Sequence, residues 1–127
     1  MTEIIYKDLS YKLNGIFFNV HNKLGRFCNH NQYCDAIEIL LKEKGIDYKR
    51  EVKIPIQFKD SNIEGNQLDF VIEDSIIVDV KAKKYITKQD YIQMQRYLKV
   101  TGYKLGIVVN FREQSLRPKR IINSQVQ

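Results

Sequence analysis

Only two cysteines, Cys28 and Cys34, occur in the 127 residues, and they make no disulfide framework. Both are expected to be reduced thiols of a cytoplasmic protein. No apolar run approaches the roughly 20 residues that cross a bilayer, so no membrane partner is expected. The start, "MTEIIYKDLSYKLNG", has no basic flank followed by an apolar stretch, and a secretion signal is not expected there. Internal repeats, low-complexity linkers and base-reading patterns of the zinc-finger or recognition-helix kind are also lacking. Acidic residues are scarce in one part of the chain. Residues 81–127 hold 11 Lys and Arg against only Asp90 and Glu113, a balance of +9, whereas residues 1–80 hold 10 basic and 13 acidic residues, a balance of −3. Such a basic region attracts polyanions by releasing their condensed counterions, or it serves simply as a solvated face. The length predicts one domain, residues 1–127, with a core that needs no covalent staple.

The hydrophobic period divides the chain. Leu9, Leu13, Ile16, Phe17, Val20 and Leu24 follow the three-and-four spacing of a helix over 8–24, closed by Gly25. A second helix is expected over 31–44, capped by Asn29, with Tyr33, Ile37, Leu40 and Leu41 inward and Gly45 as its stop. The period then becomes two. Val52, Ile54, Ile56 and Phe58 alternate with Glu51, Lys53, Pro55 and Gln57, which predicts a strand with one buried face, and Pro55 puts it near a sheet edge. A turn at 59–62 follows, then strands in "NQLDFVIED" and "SIIVDVKAKK". Next come a helix over 88–101 between Thr87 and Gly102, the apolar strand "KLGIVVNF" and a short edge segment at Ile121–Ile122. The order ααβββαβ(β) describes an α/β sandwich, a small mixed sheet flanked by helices.

Two carboxylates stand out because they interrupt strands. A charge within a buried strand is costly unless paired or metal-bound. Strand parity sets Asp79 and Lys81 on one face, with Val78 and Val80 on the other. A hairpin around Glu73–Asp74–Ser75 would bring Asp69 alongside Asp79. Two carboxylates and an ammonium at one place can hold a divalent metal ion on a phosphodiester. Alternatively, acid-x-Lys is an ordinary exposed strand face.

The order of elements, with an acid in one strand and acid-x-Lys in the next, resembles the PD-(D/E)XK nuclease superfamily. The segments "LSYKLNGIFFNVHNKLG", "LDFVIED", "IIVDVKAKK", "QMQRYL" and "TGYKLGIVVNF" are similar to the GxxExxY proteins, a compact branch of it. The resemblance implies a restriction-endonuclease-like core and cleavage of nucleic acid, DNA before RNA, with Mg2+ or Mn2+. It implies metal binding by Asp69, Asp79 and the carbonyl of Val80. Lys81 and Gln93 would join the two carboxylates as catalytic residues, and Tyr33 and Tyr97 would support them. Lys83, Lys84, Lys88 and Arg96 would draw in the nucleic-acid backbone. Leu68 stands where the superfamily name has proline.

The motif that names the branch is broken. "LGRFCNHNQYCDA" puts Phe27, His30 and Tyr33 at its Gly, Glu and Tyr. His30 therefore replaces a carboxylate expected to complete the metal site. A neutral imidazole suits manganese, iron or zinc better than magnesium, so the site is either retuned or binds without cutting well. His30 could also be just a polar residue at a helix start. Cys28, His30, Cys34 and His21 invite a zinc reading, yet C-x5-C matches no common zinc module, and buried cysteine is the ordinary explanation. Three functions follow: a metal-dependent nuclease, a nucleic-acid-binding relative with a degraded site, or an interaction scaffold. The sequence does not fix the oligomeric state.

Overall fold

The computed structural model describes residues 5–124. In chain order these form α1 (Lys7–Leu24), α2 (His30–Glu43), β1 (Tyr48–Phe58), β2 (Ser61–Ile72), β3 (Ile76–Lys81), α3 (Lys88–Thr101), β4 (Leu105–Asn110) and β5 (Lys119–Ile122), the order expected. The strands build one mixed sheet in the order β1-β2-β3-β4-β5. β3 and β4 run parallel with α3 between them in the chain, and the other neighbours are antiparallel. This is the restriction-endonuclease-like sandwich.

Helices cover both faces of the sheet. Leu13, Ile16 and Phe17 of α1 and Tyr33, Ile37 and Leu41 of α2 pack with Phe70, Val78, Val80, Ile107 and Val109 on one face. Met94, Tyr97 and Leu98 of α3 pack with Leu68, Val71, Ile77 and Val108 on the other. All six residues of β4 are buried, as its unbroken apolar run requires. Local signals fix the helix ends. An Asn29–Gln32 capping box starts α2 and a Thr87–Asp90 capping box starts α3, while Gly102, at φ 79°, ends α3 in the left-handed region. Leu24, in the last turn of α1, is exposed rather than part of the buried stripe.

One expectation fails along β1. Val52 and Ile54 pack beneath α3, but Ile56 and Phe58 are 50% and 61% exposed. The reason is the unequal length of the ladders. β1 pairs with β2 as far as Phe58–Ser61, whereas β2 pairs with β3 only from Ile72–Ile76 to Phe70–Val78. The outer half of the β1–β2 hairpin therefore runs past the sheet as a two-stranded arm. β1 is an edge strand, and its register shifts between Ile54 and Ile56, at Pro55, which has no N–H to give the ladder. Opposite that bulge, a Cβ on Gly65 would collide with the carbonyl oxygen of Ile54. Gly65→Ala should thus destabilise the fold by about 1–3 kcal/mol, as overpacking does. Urea unfolding monitored by circular dichroism checks this, and an unchanged midpoint would show that the arm yields freely.

Candidate active site

The end of the β2–β3 ladder creates the site. Just beyond the Phe70–Val78 pair the strands part, and the carboxylate of Asp69 fills the opening by accepting a hydrogen bond from the Val80 N–H at 2.7 Å. Asp79, in the middle of β3, is buried on the α3 side, and its carboxyl lies near enough to Asp69 for the two to influence each other's ionisation. Lys81 projects from the same face. Its Nζ stands 3.2 Å from Asp79 Oδ2, 3.9 Å from Asp90 Oδ1 and 3.3 Å from Gln93 Oε1, to which it donates. Val78 and Val80 point into the opposite core, as strand parity predicts.

The two carboxylates differ in their electrostatics. Burial raises the pKa of Asp69, but the hydrogen bonds from His30 and the Val80 N–H outweigh it and hold the group below its usual range. Burial also raises Asp79. There the attraction of Lys81 is opposed by the charge on Asp69, and the carboxyl is pushed up to about 6. Asp79 Oδ2 is the one buried side-chain oxygen or nitrogen among the described residues with no hydrogen-bond partner. Lys81 is within ion-pair distance of it but does not have hydrogen-bond geometry. A buried carboxylate oxygen left in this state, next to a second carboxylate, is a donor set that a divalent cation fits.

His30 is the first residue of α2, where the capping box begins the helix, and its Nε2 lies 2.9 Å from Asp69 Oδ1. The hydrogen bond to Asp69, and then that to Cys34, push its pKa up to about 11. The carboxylate of Asp69 facing the ring nitrogen thus favours the imidazolium form over the neutral ring expected from sequence. Of Cys28, His21, His30 and Cys34, only His30 and Cys34 come together. Cys34 Sγ is 3.7 Å from His30 Nε2, while Cys28 Sγ faces Leu24 O and His21 Nε2 contacts Glu113 O. Those backbone partners hold Cys28 and His21 out of the cluster.

The other anticipated residues divide by location. Tyr33 is fully buried, stacks on Phe111 with 4.4 Å between ring centres, and braces the α1–α2 loop by donating to Gly25 O and accepting from Cys28 N–H. Tyr97 packs under the sheet near Asp79. Burial, then the charge of Asp79, raises its pKa. Lys84, Lys88 and Arg96 are exposed, but Lys83 is already bound to Asp90, at 2.6 Å. Gln93 and Arg96 line a cleft of about 250 Å³ with Lys81, Gln89, Asp90 and Ile92. A larger recess, about 490 Å³, lies by the Glu73–Asp74 turn. Its Asp47, Lys49, Glu73 and Asp74 are all exposed, so no charge there needs a partner.

Sequence reasoning overlooked Asp90 and Asn110. Asp90 is buried, accepts from the Thr87 N–H at 2.7 Å and anchors Lys83. Burial raises its pKa, but the Lys83 hydrogen bond outweighs this and lowers it. Asn110, at the end of β4, pins the segment after Lys81 through both Lys83 N–H and Lys83 O. Thr87-x-x-Asp90 was a readable capping signal; Asn110 left no local one.

A family model for the PD-(D/E)XK nuclease superfamily matches residues 7–121. The chain belongs to that superfamily. Asp69 lies on β2, and Asp79 and Lys81 lie on β3, with α3 following. The solved structure described as the crystal structure of SSO0001 is similar to it, with 20% identity over 73% of this chain and 49% of that chain and a TM-score of 0.57. That likeness concerns the fold, and this PD-(D/E)XK chain spans about half the length of that protein. No curated protein matches the sequence.

Proposed function

We propose that the chain is a divalent-metal-dependent nuclease that hydrolyses phosphodiester bonds, with DNA preferred over RNA. Superfamily membership supports nuclease activity. The observation that carries the metal is Asp79 Oδ2, buried and without a donor beside Asp69. Asp69, Asp79 and the carbonyl of Val80 would hold Mg2+ or Mn2+, with His30 able to join only after losing its proton. Such an ion supplies a water of lowered pKa and neutralises charge growing on phosphorus.

The remaining chemistry falls to the protein's own groups. Lys81, held between Asp79 and Asp90, is placed to stabilise charge in the pentavalent transition state. Gln93 holds the Lys81 ammonium in place, and its amide is available to a phosphate oxygen in the cleft. Lys84, Lys88 and Arg96 attract the backbone. Lys83 is assigned a smaller part than its sequence position suggested, because Asp90 already neutralises it. We place the protein in the GxxExxY branch, acting as one domain in the cytoplasm, where Cys28 and Cys34 stay reduced. The His30–Asp69 ion pair favours a second reading, binding without efficient cutting, since an imidazolium already occupies one metal-facing oxygen.

Binding to a duplex should weaken steeply with salt and show little sequence preference. Lys84→Glu, Lys88→Glu and Arg96→Glu combined should weaken binding to all sequences alike. The log-log salt slope should fall by about one for each phosphate that the variant no longer neutralises. Fluorescence anisotropy at several salt concentrations measures both, and unchanged affinity would point to an interaction scaffold. Metal-dependent cleavage of the same duplex then separates a nuclease from a binding-only protein.

A further inference from the structure

The capping box that starts α2 also fixes a second arrangement around Asp69. His30 and Cys34 are four residues apart, so they share one face of the helix; His30 contacts Asp69 of β2, and Cys34 contacts His30. His30 Nε2, Cys34 Sγ and one Asp69 oxygen all lie within 4.8 Å of one another. Asp69 and Cys34 approach the same ring nitrogen. A thiol–imidazole–carboxylate relay needs them on opposite nitrogens, so nucleophilic catalysis by Cys34 does not fit. Three donors converging on one proton do fit the replacement of that proton by a cation.

We infer that His30 Nε2, Cys34 Sγ and Asp69 Oδ1 form a binding site for one borderline-soft divalent cation of the zinc class. Ligand atoms at zinc bond lengths around a tetrahedral centre stand about 3.3–3.8 Å apart. The His30–Cys34 separation of 3.7 Å meets this, and the 2.9 Å His30–Asp69 contact has to open by only a few tenths of an ångström. Thiolate and carboxylate together balance the two charges of the ion. Arg50, the nearby cation, is already answered by Asp35 at 2.7 Å and Glu38 at 3.1 Å. His30 Nδ1 faces Asn31 Oδ1 at 3.3 Å, the outer contact that fixes the tautomer with Nε2 free for metal. The His30 side chain is 44% exposed, which gives the ion a path in and leaves room for water as a fourth ligand. A thiolate donor disfavours magnesium and calcium. The site shares Asp69 with the Asp69–Asp79 pair, so filling it should block magnesium-dependent cleavage. That consequence rests on the nuclease reading; cation binding does not.

Cobalt(II) titrated into the reduced, metal-free protein tests the site directly. The expected result is a thiolate-to-cobalt charge-transfer absorption that saturates at one equivalent, is bleached by zinc and persists in excess magnesium. Cys34→Ser should remove the band. His30→Ala and Asp69→Asn should weaken cobalt binding by well over about 100-fold, beyond the roughly 10–100-fold loss typical of an outer-sphere partner. Cys28→Ser should keep the band. Asp79→Asn should keep it too, which separates this site from the nuclease centre. Circular dichroism confirms that each variant is folded. A wild-type protein that shows no such band, or a band lost with Cys28 and retained without Cys34, would overturn the assignment.

Discussion

Asp79→Asn is expected to lower phosphodiester cleavage by several orders of magnitude and, at the same time, to stabilise the metal-free protein at pH 7. The loss follows from removing the central metal donor, because water activation and charge neutralisation fail together. The gain follows from linkage. The folded pKa of Asp79, about 6, lies above the ordinary carboxylate value, so the native state holds this proton more tightly than the unfolded state. Below about pH 4 both states are protonated and the group costs nothing. As pH rises from about 4 to about 6, native stability is lost, and the full penalty applies above that window. A rise of this size corresponds to about 3 kcal/mol, a net penalty that already includes the attraction of Lys81 for the carboxylate. A gain of about 1–3 kcal/mol, several degrees in Tm, is expected at pH 7 in chelator, closing by pH 4. Thermal melts of both proteins at the two pH values check it, and equal melting at pH 7 would mean that Asp79 is not strained by burial.

His30→Glu should convert a weak magnesium site into a strong one. The wild type, with an imidazolium on Asp69, should prefer manganese. The substitution changes a positive charge into a negative one beside the cation, and each unit charge at about 4 Å is worth about 4 kcal/mol at an effective dielectric of 20. Discounted for the half-exposed position, magnesium affinity should rise by about a hundredfold, with cleavage in magnesium rising too. The helix start tolerates the change, since glutamate suits the positive end of α2. Without metal, the introduced carboxylate would crowd Asp69, and the variant should melt lower until magnesium is added. Calorimetric titration with magnesium measures the affinity. An unchanged value would remove position 30 from the metal site and favour its being a polar helix start.

Most of the architecture could be read from local pattern. The period of two around Asp79 assigned Val78 and Val80 to one core and Lys81 to the other face, because alternation is a property of the strand itself. The Asn29, Thr87 and Gly102 boundaries were legible for the same reason: each cap is closed by residues within four positions. Cys34 was not given a role, because His30 beside it meets Asp69 only after α2 docks at the end of the β2–β3 ladder. Nor could the protonation of His30 be read, since it depends on two groups sharing one nitrogen. Exposure of Ile56 and Phe58 escaped pattern analysis because a strand's alternation says which face is apolar and not whether anything covers it. Lys83 was overvalued for a similar reason, as Asp90 reaches it across the turn that begins α3.

The most direct test is to incubate a labelled DNA duplex with manganese and either the wild-type protein or Asp79→Asn purified in parallel, with a chelator control. A metal centre on Asp69 and Asp79 predicts cleavage by the wild type that chelator abolishes and that Asp79→Asn lacks, although the variant still binds the duplex. Cleavage that survives chelator, or that Asp79→Asn performs as well as the wild type, would contradict it.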